Sequence, residues 1–216
     1  MLKSRPLKRD VGALRDDRLF IIGCDDTYAP KQYFDFLRLP RVQIHVIPTI
    51  DGTSAAAHVL ERLLSFDHEP DDERWLVLDI DHALNGRHVV SFMQALKRAE
   101  DNDIKVALSN PCFELWLLLH HQIESDCTGL REANDVTAML RAKLGSYNKT
   151  KLNPAHFPLQ LIPLASARAQ TMDSPSAHKI IPADIATRVY RLMNSIIASA
   201  HSSQLPPELR TPAANR

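Results

Sequence analysis

The chain has 216 residues, enough for one ordinary domain with a sizeable core or one domain with an appendage. Its 44% hydrophobic and 24% charged residues are those of a soluble globular protein, and a formal net charge of zero excludes a global field that draws it onto nucleic acid, so such contacts must come from local patches. The three cysteines, Cys24, Cys112 and Cys127, have no CxxC spacing, which argues against a disulfide framework or a zinc site of cysteine pairs and fits a reducing cytoplasm.

Residues 1–17 alternate in charge, carry Pro6 and Gly12, and read as a mobile basic arm. No apolar run follows Lys3, Arg5, Lys8 and Arg9, so the arm is not a signal peptide. Leu19 to Ile22 is a short apolar run suited to a buried strand. It ends in Gly23-Cys24-Asp25-Asp26-Thr27, small and acidic residues where open α/β sheets place ligands, or where a following helix takes its cap. A helix bearing Tyr33, Phe34 and Leu37 then runs to Pro40. Val42 to Ile47 alternates as a strand does, and Val59, Leu60, Leu63 and Leu64 mark the buried stripe of a helix ending near Phe66.

Trp75 to Leu78 is continuously apolar, as in strands buried on both faces. Asp79 and Asp81 close it, and if the chain stays extended both carboxylates face one site. His82, beside them, is placed for proton transfer or is a surface histidine. An amphipathic helix through Val89, Met93 and Leu96 precedes a strand from Ile104 to Leu108. Ser109-Asn110-Pro111 then suits a helix cap and first turn, and the helix through Phe113 to Leu119 is apolar nearly all round, so it is expected to be buried. Glu114 is its exception: a buried carboxylate needs a metal, an arginine or a cap. His120 and His121 end this helix and read as structural or solvent-facing.

After Glu124 no further strand is expected. A helix starts near Leu130 and includes Thr137 to Leu144; a polar loop carries Tyr147, Lys149 and Lys151. Pro163 interrupts a partly helical stretch from Leu159 to Arg168, 173–182 is loop, and Ala183 to Ala200 is a helix. The domain plan is a basic arm (1–17), an α/β core (18–124), a helical extension packed on it (125–200) and a Pro-rich disordered tail (201–216). Alternating β and α segments argue for a four-stranded, mostly parallel sheet flanked by helices. The longest apolar stretch, near Trp116, is far short of a membrane span, so no membrane partner is expected.

Oxygen ligands from Asp25, Asp79 and Asp81 suit Mg²⁺ or Mn²⁺ at a phosphate; the alternative is that they cap turns. The DxD also suits an aspartyl phosphatase, although there the nucleophile strand usually comes first.

The segment Leu108-Ser109-Asn110-Pro111-Cys112-Phe113-Glu114-Leu115-Trp116-Leu117-Leu118-Leu119-His120 resembles the signature of the RloB-like proteins, bacterial proteins of the Toprim type found with restriction and phage-defence genes. Cys24-Asp25-Asp26 with Tyr33-Phe34, the Asp79/Asp81 pair, Tyr147 and Lys149, Ala167-Arg168-Ala169 and a Pro-led final helix near Pro182 are similar to the family over about residues 18 to 198. The resemblance implies a Toprim-like fold with Mg²⁺ or Mn²⁺ on Asp25, Asp79 and Asp81 supporting phosphodiester cleavage or transfer. Beside it, Asp25, Glu114 and Lys149 are catalytic candidates, with Glu114 either at the metal site or paired to an arginine or cap. Lys149, Lys151 and Arg168 are candidate nucleic-acid contacts, Lys149 and Lys151 suited to neutralising a scissile phosphate unless Lys151 is simply a solvated loop residue. The resemblance also implies DNA or RNA as substrate and an AAA- or ABC-type ATPase encoded nearby as partner, with a homo-oligomer as a further expectation. The chain departs from the family at Asp25, where a Glu is expected, at Asp26 in place of Gly, and at Ala29-Pro30 in place of Thr-Glu. The shorter Asp25 side chain favours, as alternative, a non-catalytic subunit that docks on the ATPase.

Overall fold

A computed structural model describes residues 17–49, 53–81 and 89–210. The basic arm, save Asp17, and His82 lie outside the described residues.

The apolar runs form strands because both of their faces are covered. In β1 (Arg18–Cys24) Phe20, Ile22 and Cys24 enter one core cluster and Leu19 and Ile21 the other. In β3 (Glu73–Asp79) Trp75 and Val77 face the first cluster, Leu76 and Leu78 the second. This is the period-two pattern of a strand between two layers. β1 pairs in parallel with β2 (Val42–Ile47) and β3, and β3 with β4 (Lys105–Asn110). Helices α2 (Ala56–Leu64) and α3 (Val89–Glu100) cover the second face. Helix α1 (Ala29–Phe36), with Tyr33 and Phe34 buried, lies on the first. Helix α4 (Glu114–Leu119) joins it there, buried at every position, which explains a sequence without a polar face. The same cluster takes in side chains of α5 (Ala133–Leu144) and α6 (Ile162–Asp173).

Several expectations are corrected. The sheet has five strands, in the order β2-β1-β3-β4-β5. The fifth, β5 (Ala186–Thr187), is antiparallel to β4, and helix α7 (Val189–Ser199) starts only after it. A two-residue strand has no readable period; its place is fixed by Arg188 N–H donating to Leu108 O at 2.8 Å and by the Ser109–Thr187 hydroxyl contact at 2.8 Å. Asn110 ends β4 rather than capping a helix, and the Asn110–Pro111 bond is cis. Pro163 opens α6 instead of interrupting a helix, since a first turn needs no N–H there. Residues 201–210, expected to belong to a disordered tail, form 3-10 turns at Ser202–Gln204 and Pro207–Leu209, and bury Leu205 and Leu209 in the main core.

The edge carrying β5 is held by a buried charge network. Asp173 accepts from Arg188 Nε at 2.9 Å, Tyr190 hydroxyl at 3.0 Å and Arg191 Nη2 at 2.6 Å. Arg188 also donates to the carbonyls of Ser176 and Ile180. Removing one member of such a pair leaves a buried charge uncompensated. Asp173→Ala is therefore expected to lower unfolding stability by about 3–5 kcal/mol in urea denaturation; a loss within about 0.5 kcal/mol, that of an ordinary surface substitution, contradicts a clamp.

Candidate active site

The neighbours β1 and β3 send their following helices to opposite faces, α1 to one and α3 to the other. Where neighbouring strands do this, a crevice opens at the carboxyl edge of the sheet. Asp25 directly follows β1, and Asp79 ends β3. Asp25 Oδ2 accepts the N–H of Asp79 at 2.8 Å, and its Oδ1 accepts the N–H of Asp26 at 2.8 Å. Beyond Asp79 the chain bends at Ile80 and turns at Asp81, yet stays tied to the next strand: Ile80 N–H donates to Ser109 O at 3.0 Å and Asp81 N–H to Pro111 O at 3.3 Å. Asp79 and Asp81 thus stand two apart beside the same cavity, with Ile80 buried in the core.

That cavity, of about 900 Å³, is lined by Asp25, Asp26, Asp79, Asp81, Glu114 and Lys149, among others. Glu114 opens α4 and is almost fully buried. Its partners are the Tyr147 hydroxyl, which donates to Oε1 at 2.9 Å, and Lys149 Nζ at 4.0 Å, not an arginine. Lys149 Nζ lies 3.1 Å from Asp26 Oδ2. Asp26 has two contacts of its own: its Oδ1 accepts Tyr28 N–H at 2.8 Å and its other oxygen pairs with the lysine.

The loop carrying Lys149 is fixed by Gln32, a residue that reads in sequence as a solvated position on α1. Its Nε2 donates to Lys149 O at 2.9 Å and to Tyr28 O at 3.0 Å, and its Oε1 accepts from Leu152 N–H at 2.9 Å. Arg141, on α5, also lines the cavity and was not singled out by any motif. Lys151 and Arg168, expected to contact nucleic acid, do not line the cavity: Lys151 is exposed in its loop, and Arg168 donates to Leu119 O at 2.8 Å at the end of α4. His120 is structural, between the Tyr33 hydroxyl at 3.1 Å and Trp116 O at 3.0 Å, and burial holds it neutral with a pKa of about 3.

A family model described as RloB-like protein matches residues 20–196. The chain belongs to the RloB-like family. The match runs from β1 into α7 and contains Asp25, Asp79, Asp81, Glu114 and Lys149. No curated protein and no solved structure matches the chain. No helix among the described residues of this RloB-like protein is long and apolar enough to cross a membrane.

The donor set fits a hard divalent cation by its chemistry, being oxygen throughout. It is not drawn up as a cage: among the described residues no group of three or more His, Cys, Asp or Glu side chains is placed to hold an ion as it stands. The site is under-neutralised instead. Burial, and then the Asp26 charge, push the Asp25 carboxyl up to about 7 against its two N–H bonds. Burial and the charges of Asp25, Glu114, Asp81 and Asp26 raise Asp79 well above the usual range. Burial works against the charge on Lys149, yet Asp26 and Glu114 hold its pKa above the ordinary value. The Cys24 and Cys112 thiols are both raised, chiefly by burial, and are inert as nucleophiles.

Raising Asp25 from 3.8 to about 7 means that the folded chain holds the extra proton between those values. This contribution to stability is complete below 3.8 and is lost as pH rises through 7. Asp25→Asn removes it. In melts without divalent cation, the midpoint of the variant relative to the parent should rise between about pH 4 and pH 8. Mg²⁺ should shrink that gain, since it favours the charged parent. A pH-independent difference contradicts the assignment.

Proposed function

We propose that this RloB-like chain is a Mg²⁺- or Mn²⁺-dependent nuclease of the Toprim type, cutting phosphodiester bonds of DNA or RNA in anti-phage defence beside an AAA- or ABC-type ATPase. The observation that carries the reading is the gathering of Asp25, Asp79, Asp81, Glu114 and Lys149 around one cavity at the sheet's carboxyl edge. Bound among Asp25, Asp79 and Asp81, such a cation supplies Lewis-acid chemistry at a phosphodiester.

The chain's own side chains do the rest. Lys149, held charged by Asp26 and Glu114, offsets charge on the phosphate. Glu114, bonded to the Tyr147 hydroxyl in a nearly dry wall, is the carboxylate placed to exchange a proton with the attacking water. Gln32 ties the backbone of the Lys149 loop to helix α1.

One observation favours a second reading. Both oxygens of Asp25 already accept N–H bonds, and this side chain is one methylene shorter than the family's Glu. A chain of that kind suits a non-catalytic subunit that docks on the ATPase. The two readings part in one experiment: incubation of the chain, with and without the ATPase, with a mixed DNA and RNA pool in Mg²⁺ or Mn²⁺. Cation-dependent cutting is expected, reduced at least about a hundredfold by Asp79→Ala or Asp81→Ala. Equal cutting by both variants and the parent overturns the nuclease assignment. A stable complex with the ATPase that never cuts supports the second reading.

A further inference from the structure

The cavity has a second wall that the acidic floor does not explain. On α5, Asn134, Thr137 and Arg141 follow at spacings of three and four and all line it. Arg141 forms no hydrogen bond or ion pair among the described residues, although five carboxylates (Asp25, Asp26, Asp79, Asp81 and Glu114) line the same space. A last-turn arginine complements the helix dipole, but that requires no approach to a cavity. An uncommitted guanidinium with an amide and a hydroxyl beside it is a seat for phosphate oxygens.

Next to Asp26, which lines the cavity and accepts its N–H at 2.8 Å, Tyr28 is 49% exposed. Gln32 Nε2 bonds the carbonyls of both Tyr28 and Lys149, so the ring's backbone and the lysine's are held side by side. Exposed aromatics beside cationic groups are platforms for unpaired bases. A cavity of about 900 Å³ has the size of a small-ligand pocket. A flexible strand can offer unpaired nucleotides to such a space, whereas a base in a duplex is stacked and must be unpaired to enter it.

We infer that the cavity takes single-stranded nucleic acid, with a phosphate seated on Arg141 and a base stacked on Tyr28. This rests on the nuclease reading for the site it serves, but binding tests it without cleavage. The full chain is titrated against labelled oligothymidylate, oligouridylate and a duplex of equal length, in Ca²⁺, by fluorescence anisotropy over a range of salt. At least one single strand is expected to bind about tenfold tighter than the duplex, and the tighter of the two names the sugar. Arg141→Ala should weaken that binding about tenfold and make the slope of log K against log salt shallower by about 0.7; Arg141→Lys should keep the slope. Tyr28→Ala should weaken it about tenfold with an unchanged slope, and Tyr28→Phe should match the parent. Equal or tighter binding of the duplex, no binding of either single strand, or a parental slope in Arg141→Ala overturns the inference. Single-strand binding through Arg141 by a chain that cuts nothing contradicts the nuclease reading alone.

Discussion

One carboxylate joins the two strands on which the site depends. Asp25 reaches from the end of β1 to the backbone N–H of Asp79 at the end of β3, while its other oxygen closes its own turn. A carboxylate taken out of water is unfavourable by several kcal/mol unless it is bonded. Hydrogen bonds to a charged group return about 1.5–3 kcal/mol each. The two N–H groups therefore make Asp25 tolerable without making it comfortable, and its high pKa expresses the remainder. A longer side chain in this place has another reach, so the length of Asp25 defines how closely the two strand ends are tied.

From that link the other elements take their roles. Asp26, the next residue, faces Lys149, and Lys149 lies within ion-pair reach of Glu114. The lysine is shared between Asp26 and Glu114, while Asp25 spends both oxygens on backbone N–H groups. Burial and crowding of these acids raise the pKa values of Asp25 and Asp79, inside a fold made of a sheet buried on both faces and a helix buried on every side. The crowding is also what makes the cavity suited to a hard cation, which relieves the repulsion that the folded chain cannot.

Much of this was legible in the sequence where the physics is local. Trp75 to Leu78 suits a strand covered on both faces and forms one; Asp79 and Asp81 were expected on one side of an extended chain, and they line one cavity although the chain bends at Ile80 and turns at Asp81. Glu114 in an all-apolar helix announced a buried partner, though its identity, Tyr147, depends on a loop. Long-range pairing was not legible. β5 is two residues long and is chosen by the open edge of β4; the packing of Leu205 and Leu209 reverses what a Pro-rich composition suggests. Gln32 and Arg141 carry no signal at all, because a polar residue on a helix surface looks the same whether it meets water, a neighbouring loop or a ligand. Lys151 and Arg168 lie away from this cavity, because positive charge near a motif does not by itself place a side chain in the cavity wall.

The central claim is that Asp25, Asp79 and Asp81 together hold a divalent cation. Titration of Mn²⁺ into the full chain, with free Mn²⁺ followed by electron paramagnetic resonance, measures this with no substrate, partner or turnover. The account requires saturable binding in the parent at neutral pH, competed by Mg²⁺ and lost in Asp79→Asn with the fold intact. Binding that is absent in the parent, or unchanged in Asp79→Asn, contradicts it.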